Sequence, residues 1–446
     1  MPAVTAATPS PAPVPPDDTY LRALNEATAR AVAAAEPLTS PFAGADTEVG
    51  QLVGAELGRH EDALLALSHD LHAHPEEGFE EHRSAGVVAE LVRAAGHEVT
   101  VGVGGLDTAV LATSGTGGPH IAVLAEYDAL PGIGHGCGHN IICSSAVGAF
   151  LAAAPAVART GGRVSLLGTP AEEGGGGKEF LARAGVLDDV DAVVMLHPFS
   201  HDVAMHPFLG RRQLEMVFHG VAAHASAQPF MGRNALDAAV AAYQGVAALR
   251  QHLPDSDRAH GVFTDGGARP NVVPDRAALR FYLRSARPET LRDLAGRVAA
   301  VAQGAALAHG CGVELRWDER PPYLPIRFNE ALARRWATHQ ESRGRRSLPP
   351  NVVPSSLTGS TDLGNLSFRV PAIHPMIAIG HPAISMHTVE FAEAAAGPSG
   401  DRAVLDGAFG LAMTAVDYLA DDELRAAVQE EFAAAGGPLD VPRFFD

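Results

Sequence analysis

The stretch that decides the fold is HIAVLAEYDALPGIGHGCGHNIICSSAVGAFLAAAPAVA, residues 120 to 158 of a chain of 446. It opens with HIAVLAEYD, typical of a buried strand, and closes with IICSSAVGAFLAAAPAVA, typical of a buried helix. Between them GHGCGHN, Gly134–Asn140, places two histidines and a cysteine close together. Such a set can be a redox pair, a nucleophile with its base, or two ligands of one metal site. The remaining sequence decides among these.

Strand-like and helix-like segments alternate around this stretch. HEVTVGV and TAVLATS precede it, and RVSLLGTP and DAVVMLHP follow it as buried strands. The alternation predicts an α/β sheet. Ligand sites in open α/β sheets lie at the carboxyl ends of the strands. Because AEYDALP, GTPAEEGG and MLHP all stand at such ends, we expect their carboxylates and imidazole to meet in one crevice.

The rhythm changes from about Arg211. Strands and helices then follow in β-α-β-β-α-β order, the split-βαβ or ferredoxin-like arrangement, through VELRWDE. After Pro322 come a helix, the loop TGSTDLGNLS, a strand AIHPMIAIG, the loop SMHTVEF and a long helix from about Asp401 to Leu419. We therefore predict a discontinuous α/β sheet domain of residues 47–208 and 322–446, with an inserted domain at 209–321.

Charge and composition exclude several classes of partner. The chain has 33 Lys and Arg against 52 Asp and Glu, a net charge of −19, and contains no basic run. Nucleic acid and anionic membranes are therefore not expected as partners. The longest apolar run, from about Ala146 to Val157, is short and contains Pro155, so no transmembrane span is expected.

The N-terminus and the cysteines indicate a cytoplasmic enzyme. MPAVTAATPSPAPVPPDD lacks the charged and apolar regions of a signal peptide, and we expect residues 1–46 to form a Pro/Ala-rich, partly disordered segment. The odd number of cysteines, Cys137, Cys143 and Cys311, argues against a disulfide framework.

Five side chains at the predicted strand ends and in the following loops are of metal-binding types: Cys137, His139, Glu173, His197 and His387. Five such ligands with a bridging water can serve two metal ions, which lie about 3.5–4 Å apart in two-metal sites. Glu172 is then left over. A carboxylate that binds no metal, next to a metal-bound water, can act as the general base of a hydrolase.

Six ordered motifs, DLHAHPEEGFEEHRSAG, AEYDALPGIGHGCGHN, GTPAEEGGGGK, FHGVAAHASAQPFMGRNALDAAV, RPNVVPDRAALRFYLRS and HTVEF, cover nearly the whole chain. With them the sequence resembles the aminoacylase/carboxypeptidase family of di-metal amidohydrolases, metallopeptidase family M20. It looks closest to the branch of p-aminobenzoyl-glutamate hydrolase and β-alanyl-lysine-type dipeptidases. The resemblance implies a metal-binding sheet domain, an inserted lid and dimerisation domain, and hydrolysis of a small N-acyl amino acid or dipeptide.

The resemblance also implies roles for individual residues. It puts the five candidate ligands on metal positions and Glu172 on the position of the catalytic base. His224, in AAHAS of the inserted domain, falls on the histidine that helps hold the developing oxyanion. The positions that match substrate-facing positions of relatives are Asn271, Arg284, and Gly359 and Ser360 in the loop GSTDLGN.

The expected cofactors are two divalent metal ions per subunit. A thiolate ligand favours zinc or another borderline-soft ion over magnesium, so zinc or manganese is expected first, with cobalt or nickel as alternatives. The expected partners are a small amide or dipeptide substrate and a second copy of the chain, with His224 reaching into the partner's active site.

Two departures and two alternatives accompany this interpretation. Asn140 stands where hippurate-type relatives carry an aspartate, which marks a different subfamily, and Pro198 stiffens the chain after His197. A cysteine hydrolase with Cys137 as nucleophile and His139 as base is one alternative, but it leaves three candidate ligands unexplained. A non-catalytic small-molecule binding protein on the same fold is the other, against which the presence of Glu172 argues.

Overall fold

The computed structural model describes residues 13–382 and 384–445. The helices are α1 Thr19–Ala34, α2 Thr47–Ala73, α3 His82–Ala94, α4 His139–Ala153, α5 Val157–Thr160, α6 Gly177–Arg183, α7 Ala235–Leu249, α8 Pro288–Ala308, α9 Glu330–Ser342, α10 Leu363–Ser367, α11 Val389–Ala395, α12 Pro398–Ala420, α13 Asp422–Ala434 and α14 Val441–Phe444. The strands are β1 Thr100–Val101, β2 Val110–Gly115, β3 His120–Ala125, β4 Arg163–Gly168, β5 Ala192–Val194, β6 His197–Phe199, β7 Gly210–His219, β8 Arg258–Asp265, β9 Arg276–Ser285, β10 Gly312–Trp317, β11 Ala372–Ile373 and β12 Met376–Ala378.

The larger sheet has six strands in the order β1-β2-β4-β3-β5-β11. Strand β3 is parallel to both β4 and β5, and β11 is parallel to β5, so these four strands end at the same edge. The strands β1 and β2 are antiparallel additions at the other side. The predicted α/β sheet is confirmed, and its last strand comes from the end of the chain.

The segment AIHPMIAIG is not the single strand that the sequence predicted. Its first part is β11 in the larger sheet, whereas its second part is β12, which pairs with β6 in a separate two-stranded sheet. Pro375 stands between them, and a proline has no N–H for the ladder. Its carbonyl instead accepts a hydrogen bond from the backbone N–H of His197 at 2.9 Å. The break therefore helps to position a candidate ligand.

Residues 210–317 follow the predicted order β-α-β-β-α-β, from β7 to β10. Their four strands form a separate antiparallel sheet in the order β10-β7-β9-β8, and α7 and α8 pack against it. The buried apolar residues of this part, between Leu214 and Ala306, form a hydrophobic cluster of their own. The larger sheet and this smaller sheet thus each have a hydrophobic core.

The helix α4 runs through the centre of the larger core. Every one of its residues is buried, and it packs against α2, α12 and β3. Pro155 does not end this apolar segment, contrary to expectation. Pro155 is the second residue of a short 3₁₀ turn, Ala154–Ala156, where its missing N–H costs no hydrogen bond. Helical structure then continues to Thr160.

Two helical segments of the described residues are therefore long and apolar enough to span a membrane: His139–Thr160 and Pro398–Ala420. Length and composition alone are weak support for a span, because core helices pass the same test. Of their most apolar windows, 89% and 83% are buried inside the protein. Both helices occupy the positions of core helices.

Two further differences concern segments without predicted secondary structure. The loop TGSTDLGNLS contains α10 in its second half. Within the N-terminal segment, predicted to be partly disordered, residues 19–34 form α1, a helix of 16 residues with Thr28 buried. Residues 1–12 lie outside the described part of the chain.

Small residues let α4 and its neighbours approach closely, and this packing generates a prediction. A methyl group at Gly148 of α4 would lie 2.9 Å from the Cβ of Ala408 and 2.7 Å from Leu64 Cδ1. Gly148→Ala should lower the free energy of unfolding by about 1–3 kcal/mol, as overpacking does. The matched control is Gly58→Ala on α2, where a methyl meets nothing within 4 Å.

In the control the same substitution should raise stability by about 0.4–1 kcal/mol, because alanine restricts the unfolded chain. Urea unfolding followed by circular dichroism measures both values. Equal effects of the two substitutions would contradict the packing argument.

Candidate metal centre

His139 enters the site as the first residue of α4, directly after a tight turn. Gly138 has φ of +74°, and a Cβ there would lie 2.9 Å from Pro198 Cγ, so only glycine fits this turn. The ring of His139 is fully buried, and its Nδ1 donates a hydrogen bond to Asp128 Oδ1 at 3.0 Å. This bond leaves the lone pair on Nε2, the arrangement usual for a histidine that ligates metal.

Glu172 and Glu173 lie on a strained loop after β4. Ala171 has φ of +57°, an uncommon conformation for a residue with a side chain. The loop turns back so sharply that a Cβ on Gly177 would lie 1.8 Å from the carbonyl oxygen of Pro170, which explains a glycine there. The backbone N–H of Glu173 donates to Asp128 Oδ2 at 2.8 Å. Asp128 thus holds both this loop and His139.

His197 is the first residue of β6, and its orientation is also determined by a hydrogen bond. Nδ1 donates to the carbonyl of Pro198 at 2.7 Å, so the lone pair again resides on Nε2. Burial lowers the pKa of His197 to about 3. The ring is therefore neutral and able to ligate.

His387 approaches from the opposite side on the loop before α11. Its φ is +63°, and its backbone N–H bonds to the carbonyl of Gly136 at 2.9 Å. This anchor places His387 Nε2 2.9 Å from Cys137 Sγ and 3.8 Å from Glu173 Oε1. A residue distant in sequence thereby joins the GHGCGHN loop.

The structure brings together all five candidate ligands. Atoms able to bind a metal lie within 4.8 Å of one another in three overlapping groups: Cys137, His139 and His197; Cys137, Glu173 and His387; and His139, Glu172 and Glu173. Among the described residues, His139 Nε2 and Glu173 Oε1 are buried without any hydrogen-bond partner. Buried polar atoms are normally paired, so two acceptors converging on one space fit a cation between them.

Glu172 lies within this cluster in an unusual environment. Burial, and then the charges of Glu126 and Glu173, raise the pKa of its carboxyl well above the ordinary value. A neighbouring divalent cation acts in the opposite direction, because it favours the ionised form. The proton affinity of the Glu172 carboxyl therefore depends on whether a cation is bound in the cluster.

Four buried charged residues lie beside the candidate ligands: Glu126, Asp128, Lys178 and Asp362. The Lys178 ammonium bonds to Glu126 and, at 2.6 Å, to Asp362 Oδ1. Glu126 Oε2 lies 3.4 Å from His139 Nε2. The sequence predicted that the AEYD carboxylates lie in this crevice but predicted no role for any of the four residues. A signal for Lys178 was present in GGGGK, where a lysine ends the glycine run.

Asn140 does not orient His139. Its amide donates to Ser68 Oγ at 2.9 Å and to the carbonyl of Ala395 at 3.1 Å, so it joins α4 to α2 and α11. Asp128 supplies the carboxylate instead.

The candidate substrate residues fall into two groups. Arg284 of β9 donates to Ser360 Oγ at 2.6 Å, and Arg284, Gly359 and His387 line one cavity of about 480 Å³. His224 and Asn271 instead lie exposed on the inserted unit, where the N–H of Ala225 bonds to the carbonyl of Asn271. No contact among the described residues joins His224 to the metal-binding cluster.

The His224 ring is nevertheless held in a defined state. Its Nδ1 accepts hydrogen bonds from the backbone N–H groups of Ser226 at 3.3 Å and Ala227 at 3.2 Å. Since a backbone N–H can only donate, the proton of the neutral ring is on Nε2. His224 thus presents an N–H donor away from its own loop.

Comparison with known proteins identifies the family. Residues 210–309 match the model of a peptidase dimerisation domain of the M20 type. The chain is 36% identical over 418 residues to the Xaa-Arg dipeptidase of Mus musculus, covering 89% of this chain and 95% of that protein. It is 31% identical over 432 residues to one of the polypeptides of the p-aminobenzoyl-glutamate hydrolase of Escherichia coli K12, covering 80% of this chain and 89% of that polypeptide.

Solved structures agree on the fold. An aminobenzoyl-glutamate utilization protein from Klebsiella pneumoniae aligns with a TM-score of 0.64 at 23% identity, over 81% of this chain and 98% of that one. A dinuclear metal-binding M20 peptidase from Bacillus subtilis aligns with a TM-score of 0.61 at 21% identity, over 80% and 99%. The chain belongs to the M20 family of metallopeptidases and is an enzyme that hydrolyses amide bonds.

Proposed function

We propose that this enzyme hydrolyses the amide bond of a small N-acyl amino acid or dipeptide, of p-aminobenzoyl-glutamate or β-alanyl-dipeptide type, with two divalent metal ions. The observation that carries the proposal is the convergence of unpaired His139 Nε2 and Glu173 Oε1 on one space beside Glu172. The names of the mouse dipeptidase and the bacterial hydrolase support the same reaction class.

Two ions suit the donor set. Cys137, His139 and His197 form one buried group, and Cys137, Glu173 and His387 form another, so the thiolate would serve both. The related peptidase from B. subtilis is described as dinuclear. Such ions, when bound, polarise the scissile carbonyl and acidify water. Thiolate and imidazole ligands favour zinc, with manganese as the next choice and cobalt or nickel as alternatives.

Glu172 is the proposed general base. It takes the proton of the attacking water and returns it to the leaving nitrogen. Its main chain is held for this task, since the hydroxyl of Tyr323 donates to the Glu172 carbonyl at 2.7 Å. Arg211 lies over the Tyr323 ring at 4.2 Å, which fixes the ring in turn. The main chain of the base is thus held by residues that are distant from it in sequence, Tyr323 and Arg211.

The inserted ferredoxin-like unit is proposed to act as lid and dimerisation domain. His224 presents its Nε2 proton from an exposed loop, with Asn271 beside it. Both residues are out of contact with the described metal cluster of their own chain, and the unit matches a dimerisation domain. In a two-fold dimer each subunit could supply His224 to the other's site, where its N–H would bind the developing oxyanion.

Arg284 is the proposed anchor for the substrate carboxylate. One nitrogen of its guanidinium donates to Ser360. The remaining N–H groups can bind a carboxylate in a bidentate fashion. Gly359 lines the same cavity without a side chain to obstruct it. The cavity of about 480 Å³ is of the size typical for small ligands.

The two alternatives are less consistent with the structure. Burial, and next the charge of Glu173, raise the pKa of the Cys137 thiol well above its usual value, whereas a nucleophilic cysteine needs a lowered one. A purely binding protein has no use for Glu172 beside the ligands. The free cysteines Cys137, Cys143 and Cys311 fit a reducing compartment, and we propose the cytoplasm as the location.

Metal removal is the first test. Dialysis against a chelator should abolish hydrolysis of the best substrate among p-aminobenzoyl-glutamate, β-alanyl dipeptides and N-acetyl amino acids, and Zn²⁺, Mn²⁺ or Co²⁺ should restore it. Metal analysis should find two ions per subunit in the active enzyme. Full turnover in demonstrably metal-free protein would exclude this mechanism and support the cysteine alternative.

The two adjacent glutamates should separate in a second test. Glu172→Gln should keep close to the full metal content while losing about two orders of magnitude or more in kcat, the scale of a removed general base. Glu173→Gln should lose affinity for at least one ion, because its carboxylate belongs to two of the ligand groups. The opposite pattern of metal loss would show that the two roles are exchanged.

Complementation between subunits tests the shared site. His224→Ala and Glu172→Gln homodimers should both be nearly inactive, whereas a mixed dimer contains one site with both residues intact. Its activity should reach up to about half that of the wild type if the two sites work independently. Subunits with different tags verify the exchange. Confirmed mixed dimers as inactive as their parents would show that His224 does not act across the interface.

A further inference from the structure

The cavity beside the metal centre has a wall from an unexpected part of the chain. Besides His387 and Arg284, its lining includes Leu21 and Asn25 of the N-terminal helix α1. This helix belongs to neither of the two sheet-bearing units. The residues of α1 that line the cavity are therefore candidates for contact with the substrate.

One face of α1 is held firmly against the protein. Leu21, Asn25, Thr28 and Val32 recur at helical spacing and therefore share a face. Thr28 is buried, and Val32 packs on an apolar cluster that includes Phe199, Val203, Phe208, Leu348 and Met376. The second half of the face anchors the helix, and the first half is directed to the cavity.

The end of the helix is fixed as well. The guanidinium of Arg346 donates to the carbonyl of Val32 and, at 2.9 Å, to that of Ala35. The last carbonyls of a helix lack partners within it and carry partial negative charge, which a cation satisfies. Anchored by packing and by this ion, α1 has a defined position over the cavity.

The wall is apolar and amide in character. Leu21 is 50% exposed although it is apolar, and the Asn25 side chain makes no hydrogen bond within residues 13–382 and 384–445. The charged or titratable groups in the lining are Arg284 and His387, and none of the described lining residues is Asp or Glu. A positively charged side chain would find no counter-charge here and would meet the Arg284 guanidinium.

The position of His387 orients a substrate in this space. Because His387 belongs to the metal cluster and lines the cavity, the scissile amide lies at this end. Arg284, the proposed anchor of the carboxylate, lines this cavity together with α1. The carboxylate and the group against α1 are therefore assigned to the same half of the substrate. In an N-acyl amino acid that half is the amino acid released, and the group against α1 is its side chain.

We propose that α1 forms the subsite for the side chain of the amino acid released, through Leu21 and Asn25, and that this side chain carries no positive charge. The inference rests on the amidohydrolase function proposed above. It separates this enzyme from the Xaa-Arg specificity that the name of the mouse relative states.

The first arm of the test compares substrates that share one acyl group. With metal-loaded wild-type enzyme, kcat/KM for the leucine, glutamine and glutamate derivatives should exceed that for the lysine and arginine derivatives about tenfold or more, because a cation at this wall would lose water without gaining a counter-charge. Hydrolysis of none of them would overturn the proposed function itself. Hydrolysis with a preference for lysine or arginine would overturn only the assignment of the subsite.

The second arm changes the wall. Asn25→Asp adds a negative charge with almost no change of shape and should raise the lysine-to-leucine ratio of kcat/KM about threefold to fivefold, as expected for a partly exposed ion pair. Tyr20→Asp is the control, since Tyr20 is on the same helix, 80% exposed and outside the cavity lining. It adds the same charge and should leave the ratio unchanged.

Metal content and melting temperature show whether each variant is folded. If Asn25→Asp proves unstable, Leu21→Glu supplies a charge on the same face one turn earlier, with the same expected direction. A ratio equal to that of Tyr20→Asp in a folded variant of either kind would show that α1 does not contact the substrate.

Discussion

The carboxylate of Asp128 joins the two parts of the chain that carry the metal-binding groups. One oxygen accepts from the His139 ring, and the other accepts from the backbone of Glu173. The first bond determines which nitrogen of the histidine is free, and the second fixes the loop that holds Glu172. Asp128 itself follows β3 at the edge where the parallel strands end. The geometry of the candidate metal centre therefore depends on the six-stranded sheet.

Burial makes this geometry electrostatically demanding. Glu126, Glu172 and Asp362 bring carboxylates within 4.8 Å of one another, and Lys178 is the ammonium among them. Several carboxylates share one ammonium, so their full ionisation would leave an excess of negative charge away from water, which is unfavourable without a cation. Metal binding and the stability of the folded centre are consequently linked, since ions bind the assembled site and not the unfolded chain.

The sequence was informative where a pattern is local. Apolar runs ending in polar residues predicted the crevice, and the β-α-β-β-α-β order followed from hydrophobic periodicity. Features that depend on tertiary contacts escaped prediction. The role of Asp128 depends on a turn that brings back His139, and the split of AIHPMIAIG depends on which partner strands are free. Pro155 was misread because its effect depends on its position within a turn, and α1 gave no sign of the cavity it borders.

The discontinuity of the larger sheet has a consequence for how the enzyme is made. Strand β5 can pair with β11, and β6 with β12, only after the inserted unit has emerged between them. A domain completed by its own C-terminal part folds late during synthesis, and long-range strand pairing is slow. His387 arrives with this last portion. Until the chain has been made as far as His387, it therefore carries an open sheet edge and an incomplete set of thiol and imidazole groups.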